Sequence, residues 1–291
     1  LYAKGALAVG TPASTDAVQA GGVSNIIKRV RILAKSETRL DVLGKELRIL
    51  NLLHNQSSFV QTDPAVNAAA PTFEVCLTRQ FEMPRMIFPH ADRGILPNNL
   101  IRDIQVVVDV GLPADVLKTA GTNTWNGATI EFYVLQAIPT PIDPAFYLNE
   151  QYVAPWRDNV ALTSVGDYDR LVPTGGKYRH LIVYAEKTVS GLISYDDTLV
   201  SQLVLKSNRT DIFRQNWNSI KADNVQNFLL TSKLSGVAVL DWTRYFTPPE
   251  LMDADRILRE NGADLHLVTT CGATAAASTL GVVALRVFGA F

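Results

Sequence analysis

GGVSNIIKRVRILAK (residues 21–35) and GGKYRHLIVYAEK (residues 175–187) follow one pattern. Each has two glycines, a few polar residues and a strand-like run that closes on lysine. Glycine pairs suit a turn. Ile26, Val30 and Ile32 stand among Lys28, Arg29 and Arg31, and β-branched residues favour a strand. RHLIVYA, in the second stretch, reads the same way. The recurrence, about half the chain apart, suggests that one kind of unit is built twice.

Working outward, TRLDVLG reads as a short strand or a turn into a helix. GKELRILNLLHN is helical, with Leu47, Leu50 and Leu53 on one side, Gly44 before it and Asn55 as its stop. FEVCLTRQF alternates, with Phe73, Val75, Leu77 and Arg79 on one face, as a half-buried antiparallel strand does. IRDIQVVVDV and ATIEFYVLQA are further strands, the latter with Ile130, Phe132 and Val134 on one face. The stretch between them, GLPADVLKTAGTNTWNG, is a loop with one helical turn, and Trp125 is its candidate exposed contact.

The second half replays this order. LISYDDTLVSQLVLKSN holds two short strands around a turn at Asp196 and Asp197. TDIFRQNWNSIKADN reads as a helix capped by Thr210 or Asp211, with Ile212, Phe213, Trp217 and Ile220 on its apolar side. SGVAVLDWT, ADLHLVTT and LGVVALRVF are strands, and TPPELMDADRILRENG is a short helix or turn. Between the halves, Pro139, Pro141, Pro144 and Pro155 forbid a regular element, while Phe146, Tyr147 and Trp156 predict a packed connector.

Many short strands broken by turns indicate an all-β fold. The expectation is two consecutive eight-stranded jelly-roll β-sandwiches with short helices in connecting segments. The expected boundaries are an N-terminal arm over 1–20, a first jelly roll over 21–137, a Pro-rich connector over 138–174 and a second jelly roll over 175–291. The arm is assigned from its small residues, with Lys4 as an early cation.

Composition and motifs argue against most chemistry. The 291 residues are 47% hydrophobic and 19% charged, an ordinary globular composition. A net charge of −1 and a pI of about 6.5 argue against wrapping nucleic acid. Cys76 and Cys271 stand far apart, with no zinc spacing and no disulfide framework. There is no phosphate loop, no nucleophile elbow and no HExxH. His54, His90, His180 and His266 share no spacing and read as structural or surface residues. Asp196 and Asp197 read as turn caps, and Asp253 with Asp255 is a second neighbouring pair with no evidence of facing across a cleft. The basic run of residues 28–31 reads as a solvated sheet face, with phosphate or headgroup contact as the other reading. No stretch reaches the ~20 apolar residues that span a bilayer.

The order of elements resembles the double jelly-roll major capsid proteins of tailless icosahedral viruses, including bacteriophages with an internal membrane. The stretches that carry the resemblance are IIKRVRILAKSETRLDVLGKELRILNLL, IRDIQVVVDV and ATIEFYVLQA in the first half. In the second half they are YRHLIVYAEKTVSGLISYDDTLVSQLVLKSNRTDIFRQNWNSI, ADLHLVTTCG and LGVVALRVF. The resemblance implies a non-enzymatic homotrimer without cofactor, a pseudo-hexagonal tile of an icosahedral shell. It implies neighbouring capsomers, minor capsid or vertex proteins and an internal membrane surface as partners, and a virion assembled in the host cytoplasm. Lys4, Trp125, Phe146, Tyr147 and Trp156 are the candidate interface residues. The competing reading is a two-domain β-sandwich that binds or acts on glycans, with a cleft lined by Trp125, tyrosines and paired carboxylates.

Overall fold

The computed structural model describes residues 1–34, 37–54, 60–78, 104–131, 133, 152–174, 177–207, 210–242, 252–253, 264–272 and 277–288. The chain divides into two units. One takes residues 1–80, 101–146 and 190–194, and the other takes 81–100, 147–189 and 195–291.

The elements begin with β1 (Tyr2–Val9), β2 (Ala17–Val18), a 3₁₀ turn (Gly22–Ile26), β3 (Ile27–Ala34), β4 (Glu37–Leu43) and α1 (Gly44–His54). Next come β5 (Gln61–Thr62), β6 (Thr72–Cys76), β7 (Ile104–Val110), α2 (Pro113–Val116), β8 (Leu117–Lys118) and β9 (Asn123–Glu131). Then follow β10 (Tyr152–Leu162), β11 (Gly166–Val172), β12 (Lys177–Val189), β13 (Leu192–Tyr195), β14 (Val200–Ser207) and β15 (Thr210–Asn216). The chain closes with α3 (Trp217–Asn227), β16 (Val237–Asp241), β17 (Met252–Asp253), β18 (Leu265–Cys271) and β19 (Ser278–Phe288).

In the second unit, one sheet runs β10-β19-β12, with β16 and β17 also paired to β12, and the other runs β11-β18-β14-β15. Every described pairing is antiparallel. From β10 to β19 the chain crosses repeatedly between the two sheets in the jelly-roll manner, with β14 and β15 consecutive in one sheet. One core joins them: Leu181 and Val183 of β12, Leu203 and Leu205 of β14, Leu267 of β18 and Val282 of β19 cluster with Trp217 of α3. Ile182 and Tyr184, on the other face of β12, are also buried. That two-sided burial explains why RHLIVYA is a continuous apolar run rather than an alternating one. The Tyr184 ring lies over Gly281, where an added Cβ would stand 2.0 Å from the ring.

The first unit has the same connectivity. β1 lies between β6 and β9, as β12 lies between β16 and β19. β3 lies between β4 and β7, as β14 lies between β15 and β18. α1 follows β4 as α3 follows β15. The counterpart of RHLIVYA is therefore YAKGALAV in β1, not IIKRVRIL, and the two opening stretches are not equivalent. The glycine pair at 21–22 serves its own turn. Both residues have positive φ, and a Cβ on Gly22 would sit 2.0 Å from Asp63 Oδ1, the acceptor of the Val23 N–H.

Several sequence expectations change with the fold. Residues 1–20 do not form an arm, because β1 is paired on both edges and buries Ala3, Leu7 and Val9. Its small residues allow close strand approach: a Cβ on Gly5 would meet Ala128 Cα at 2.6 Å. Residues 152–172, assigned to the connector, form β10 and β11, and Pro155 is accommodated within β10. Residues 138–151 of that connector, Asn55 and the TPPEL segment lie outside the described residues, except for the two-residue strand β17. Trp125 belongs to β9 rather than to a loop. Residues 210–216 are a strand, and the helix starts at Trp217 with Asn216 as its N-cap. The ladder offered by β14 outweighs the helical spacing of Ile212 and Phe213.

A second repeat is chemical. Asn51 and Asn224 each stand seven residues past the first residue of an 11-residue helix, Gly44 or Trp217. Asn224 Nδ2 donates to Val239 O at 2.6 Å, and Val239 N donates to Asn224 Oδ1 at 2.8 Å. Asn51 Nδ2 donates to Thr78 O at 2.9 Å, and Thr78 N donates to Asn51 Oδ1 at 3.0 Å. Each carboxamide thus serves both backbone groups of one residue, in β16 or just past β6. Both asparagines are buried.

Asn224→Leu should leave the buried N–H and C=O of Val239 without partners, a loss of roughly 2–4 kcal/mol, and Asn51→Leu should cost less, because Thr78 is exposed and water can take its backbone groups. Urea unfolding of each variant measures it. Midpoints equal to that of the parent chain would remove the role given to these side chains.

Candidate assembly surface

The sheet β6-β1-β9 presents polar residues on its outer side. Lys4 is exposed, with its Nζ 5.7 Å from the centre of the Tyr2 ring. Tyr2 Oη donates to Glu74 Oε1 at 2.5 Å, and that bond, with burial and the nearby Glu131 charge, pushes the phenol up to about 12. Tyr2 is therefore a neutral donor at physiological pH. Cross-strand pairing aligns Tyr2 with Glu131, and Lys4 with Glu74 and Thr129.

Trp125 is half-buried, with its ring edge-on to Phe73 at 5.5 Å between centres. Trp156 is also half-buried; it pairs with Ala284 and packs on the core of the second unit. Phe146 and Tyr147 lie outside the described residues.

The basic run of β3 is largely neutralised within its own sheet. Arg29 grips Asp41 through Nε at 2.7 Å and a second nitrogen at 2.5 Å, and Arg31 approaches Asp109 at 3.3 Å. Pairs this exposed contribute at most ~1 kcal/mol. Their larger effect is to cancel the charge that a phosphate would need.

Asp196 and Asp197, the clearest carboxylate pair in the sequence, are both committed to structure. Asp196 accepts from Thr198 N and Oγ1 and pairs with Lys187 at 2.5 Å. Asp197 Oδ1 accepts from Trp217 Nε1 at 3.1 Å, from Gly236 N at 2.8 Å and from Lys221 Nζ. Burial opposes ionisation of both, but the lysines and the other donors overcome it and hold each carboxyl below its ordinary pKa. Asp255 and the side chain of Asp253 lie outside the described residues.

Two histidines follow the same pattern. His180 Nε2 is 3.4 Å from Asp241 Oδ1, and both side chains are buried. Arg179 lies beside them, its pKa lowered by burial against the pull of Asp241. His266 Nδ1 is 2.8 Å from Asp169 Oδ1 across β11 and β18. His90 and the side chain of His54 lie outside the described residues. Among the described residues, no three His, Cys, Asp or Glu side chains gather as metal ligands, and no helix is long and apolar enough to cross a membrane. Cys76 and Cys271 form no disulfide.

Asn51, Asn224 and the Lys221–Asp197 pair escaped the sequence reading. The signal that could have found the asparagines is an amide on the core-facing stripe of two helices of equal length.

No protein-family model matches the chain, and no curated protein matches it. Solved structures do. The chain is similar to the STIV MCP, with TM-score 0.68, 14% identity and coverage of 98% of this chain and 86% of that one. The match to a chain in the atomic structure of Sulfolobus Turreted Icosahedral Virus has TM-score 0.69, 13% identity and coverage of 98% and 81%. The match to the major capsid protein P2 from Bacteriophage PM2 has TM-score 0.54, 11% identity and coverage of 99% and 89%. The chain thus has the double jelly-roll fold of these proteins.

Because the folded pKa of Asp197 is depressed, its stabilising effect is present above the ordinary carboxylate value of about 4 and is lost as pH falls through the lower folded value. Asp197→Asn leaves the buried Lys221 charge uncompensated. The expected cost at neutral pH is about 1–3 kcal/mol, discounted because the Asp197 side chain is 39% exposed. Denaturant unfolding should show the gap between parent and variant closing as pH falls below the ordinary carboxylate value of about 4. A gap that stayed constant with pH would contradict the ion-pair assignment.

Proposed function

We propose that this chain is a major capsid protein whose trimer is a pseudo-hexagonal tile of an icosahedral shell. The observation that carries this reading is the fold likeness to viral capsid proteins along 98% of the chain. The internal repeat supports it. Three chains with two similar jelly rolls each supply six similar walls, and closed trimers bury heterologous contacts without growing into fibres. The role is structural rather than catalytic. The proposed partners are further copies of the chain, neighbouring capsomers, minor capsid or vertex proteins and an underlying membrane surface. Its proposed place is the virion, after assembly in the host cytoplasm.

The proposed seam residues are Lys4, Trp125 and Trp156, which keep part of their side chains exposed, together with Phe146 and Tyr147. The glycan reading has no such support, because its carboxylates at Asp196 and Asp197 are already engaged by lysines and turn donors.

Light scattering on the purified protein should give three times 31.9 kDa, with hexagonal outlines in negative stain. A monomer at high concentration would overturn the tile. Trp156→Ala should lower the trimer fraction in sedimentation velocity while the far-UV spectrum of a β protein is kept. Unchanged trimers would remove Trp156 from the seam.

A further inference from the structure

Asn126 and Gly127 lie within β9, which pairs with β1. An Asn-Gly pair commonly marks a hairpin turn, with positive φ at both residues. Here the pair stays inside a strand, and of the two only Gly127 has positive φ, at 64°. The register shows why. Asn126 pairs with Ala6 and Thr129 pairs with Lys4, so Gly127 and Ala128 together stand opposite Gly5. This is a β-bulge made by a left-handed glycine, and a bulge leaves one residue out of the ladder.

The bulge leaves the pair open to solvent and free of contacts. Asn126 and Gly127 are both exposed. Nothing stands within 4 Å of the place a Gly127 Cβ would take. Among the described residues, the Asn126 carboxamide makes no hydrogen bond. Other asparagines of the first unit are held. Asn25 donates to Ala20 O at 2.7 Å and to Asp115 O at 2.8 Å, Asn123 donates to Leu117 O at 2.8 Å, and Asn51 is bonded at both ends of its amide. None of these three precedes a glycine.

We propose that Asn126 is a site of self-modification, where the Gly127 nitrogen attacks the Asn126 side chain and solvent water completes its conversion to aspartate and isoaspartate. A bond forms between Gly127 N and Asn126 Cγ, and the Cγ–Nδ2 bond breaks. Nδ2 leaves as ammonia, carrying the proton of the Gly127 N–H, and a five-membered succinimide remains. Water then opens the ring at either carbonyl. One opening gives aspartate. The other gives isoaspartate, whose backbone runs through the former side chain. Nothing is oxidised or reduced, and water is the only co-reactant. The reacting groups are neighbours in the chain, so proximity is built in, and what the step needs is freedom to turn Cγ onto the nitrogen. Glycine has no side chain to hinder that approach, and the carboxamide has no bond to give up. Each conversion adds one negative charge to a chain of net charge −1. Isoaspartate also lengthens β9 by one backbone atom, next to Trp125. The proposal rests on the fold and is independent of the capsid reading.

The test is to hold the purified chain at mildly alkaline pH, folded in one sample and unfolded in urea in another. Peptide mapping by mass spectrometry, with fragmentation that separates isoaspartate from aspartate, follows Asn126 in both. Conversion there is read apart from conversion at Asn261, the other asparagine before a glycine, which lies outside the described residues. The expected result is a mixture of both acids at Asn126, formed in the folded chain at a rate within about tenfold of that in urea. A folded rate further below the urea rate than that would mean that the ladder holds the pair, and would overturn the proposal. So would aspartate without isoaspartate, because opening of the ring gives both.

Discussion

A strand edge must find hydrogen-bond partners, and both jelly rolls answer this with the same side chain. The carboxamides of Asn51 and Asn224 present a donor and an acceptor side by side, as a neighbouring strand would. Each leaves its helix to satisfy both backbone groups of one residue, the exposed Thr78 or the buried Val239. A buried backbone group without a partner costs about 1–3 kcal/mol, so the pair of bonds matters more than either alone. A leucine would pack at the same site but could not serve the edge. This contact ties each helix to its sheet, and Trp217 of α3 and the leucines of α1 are buried on the same helices.

The polar residues of the second unit extend the same logic. Asp197 joins the loop before β14, the first turns of α3 and Gly236 through one carboxylate oxygen. Lys221 is almost fully buried, and Asp197 faces it. His180 and Asp241 form a comparable pair across β12 and β16. Side chains that would suggest chemistry in a list of residue types are here the fasteners between strands and helix. These contacts fasten the strands and the helix of the second jelly roll to one another.

Much of this was legible in the chain. FEVCL alternates because β6 has one buried face, and Phe73 and Val75 are buried as the pattern requires. Leu47, Leu50 and Leu53 mark the buried side of α1. The turn at Asp196 and Asp197 is where two acidic residues before threonine suggest one. Other parts were hidden. YAKGALAV looks like a small-residue tail until β6 and β9 flank it. TDIFRQN has helical spacing, yet β14 draws it into a ladder. The candidate seam residues were chosen by chemistry alone, and Trp125 proved to be an aromatic packed on Phe73.

The sequence by itself determined that the chain is all-β, that it builds one kind of sandwich twice, and where most strands and the first helix run. These follow from local periodicity, because apolar spacing reports which side of an element is buried. Tertiary structure decided which strand of one half matches which of the other. It also decided that the first residues form a central strand and that two asparagines close two edges. Strand pairing joins residues far apart in the chain, and hydrogen bonds between backbones leave no mark on side-chain identity. Only the assembled sheets show which strands lie side by side.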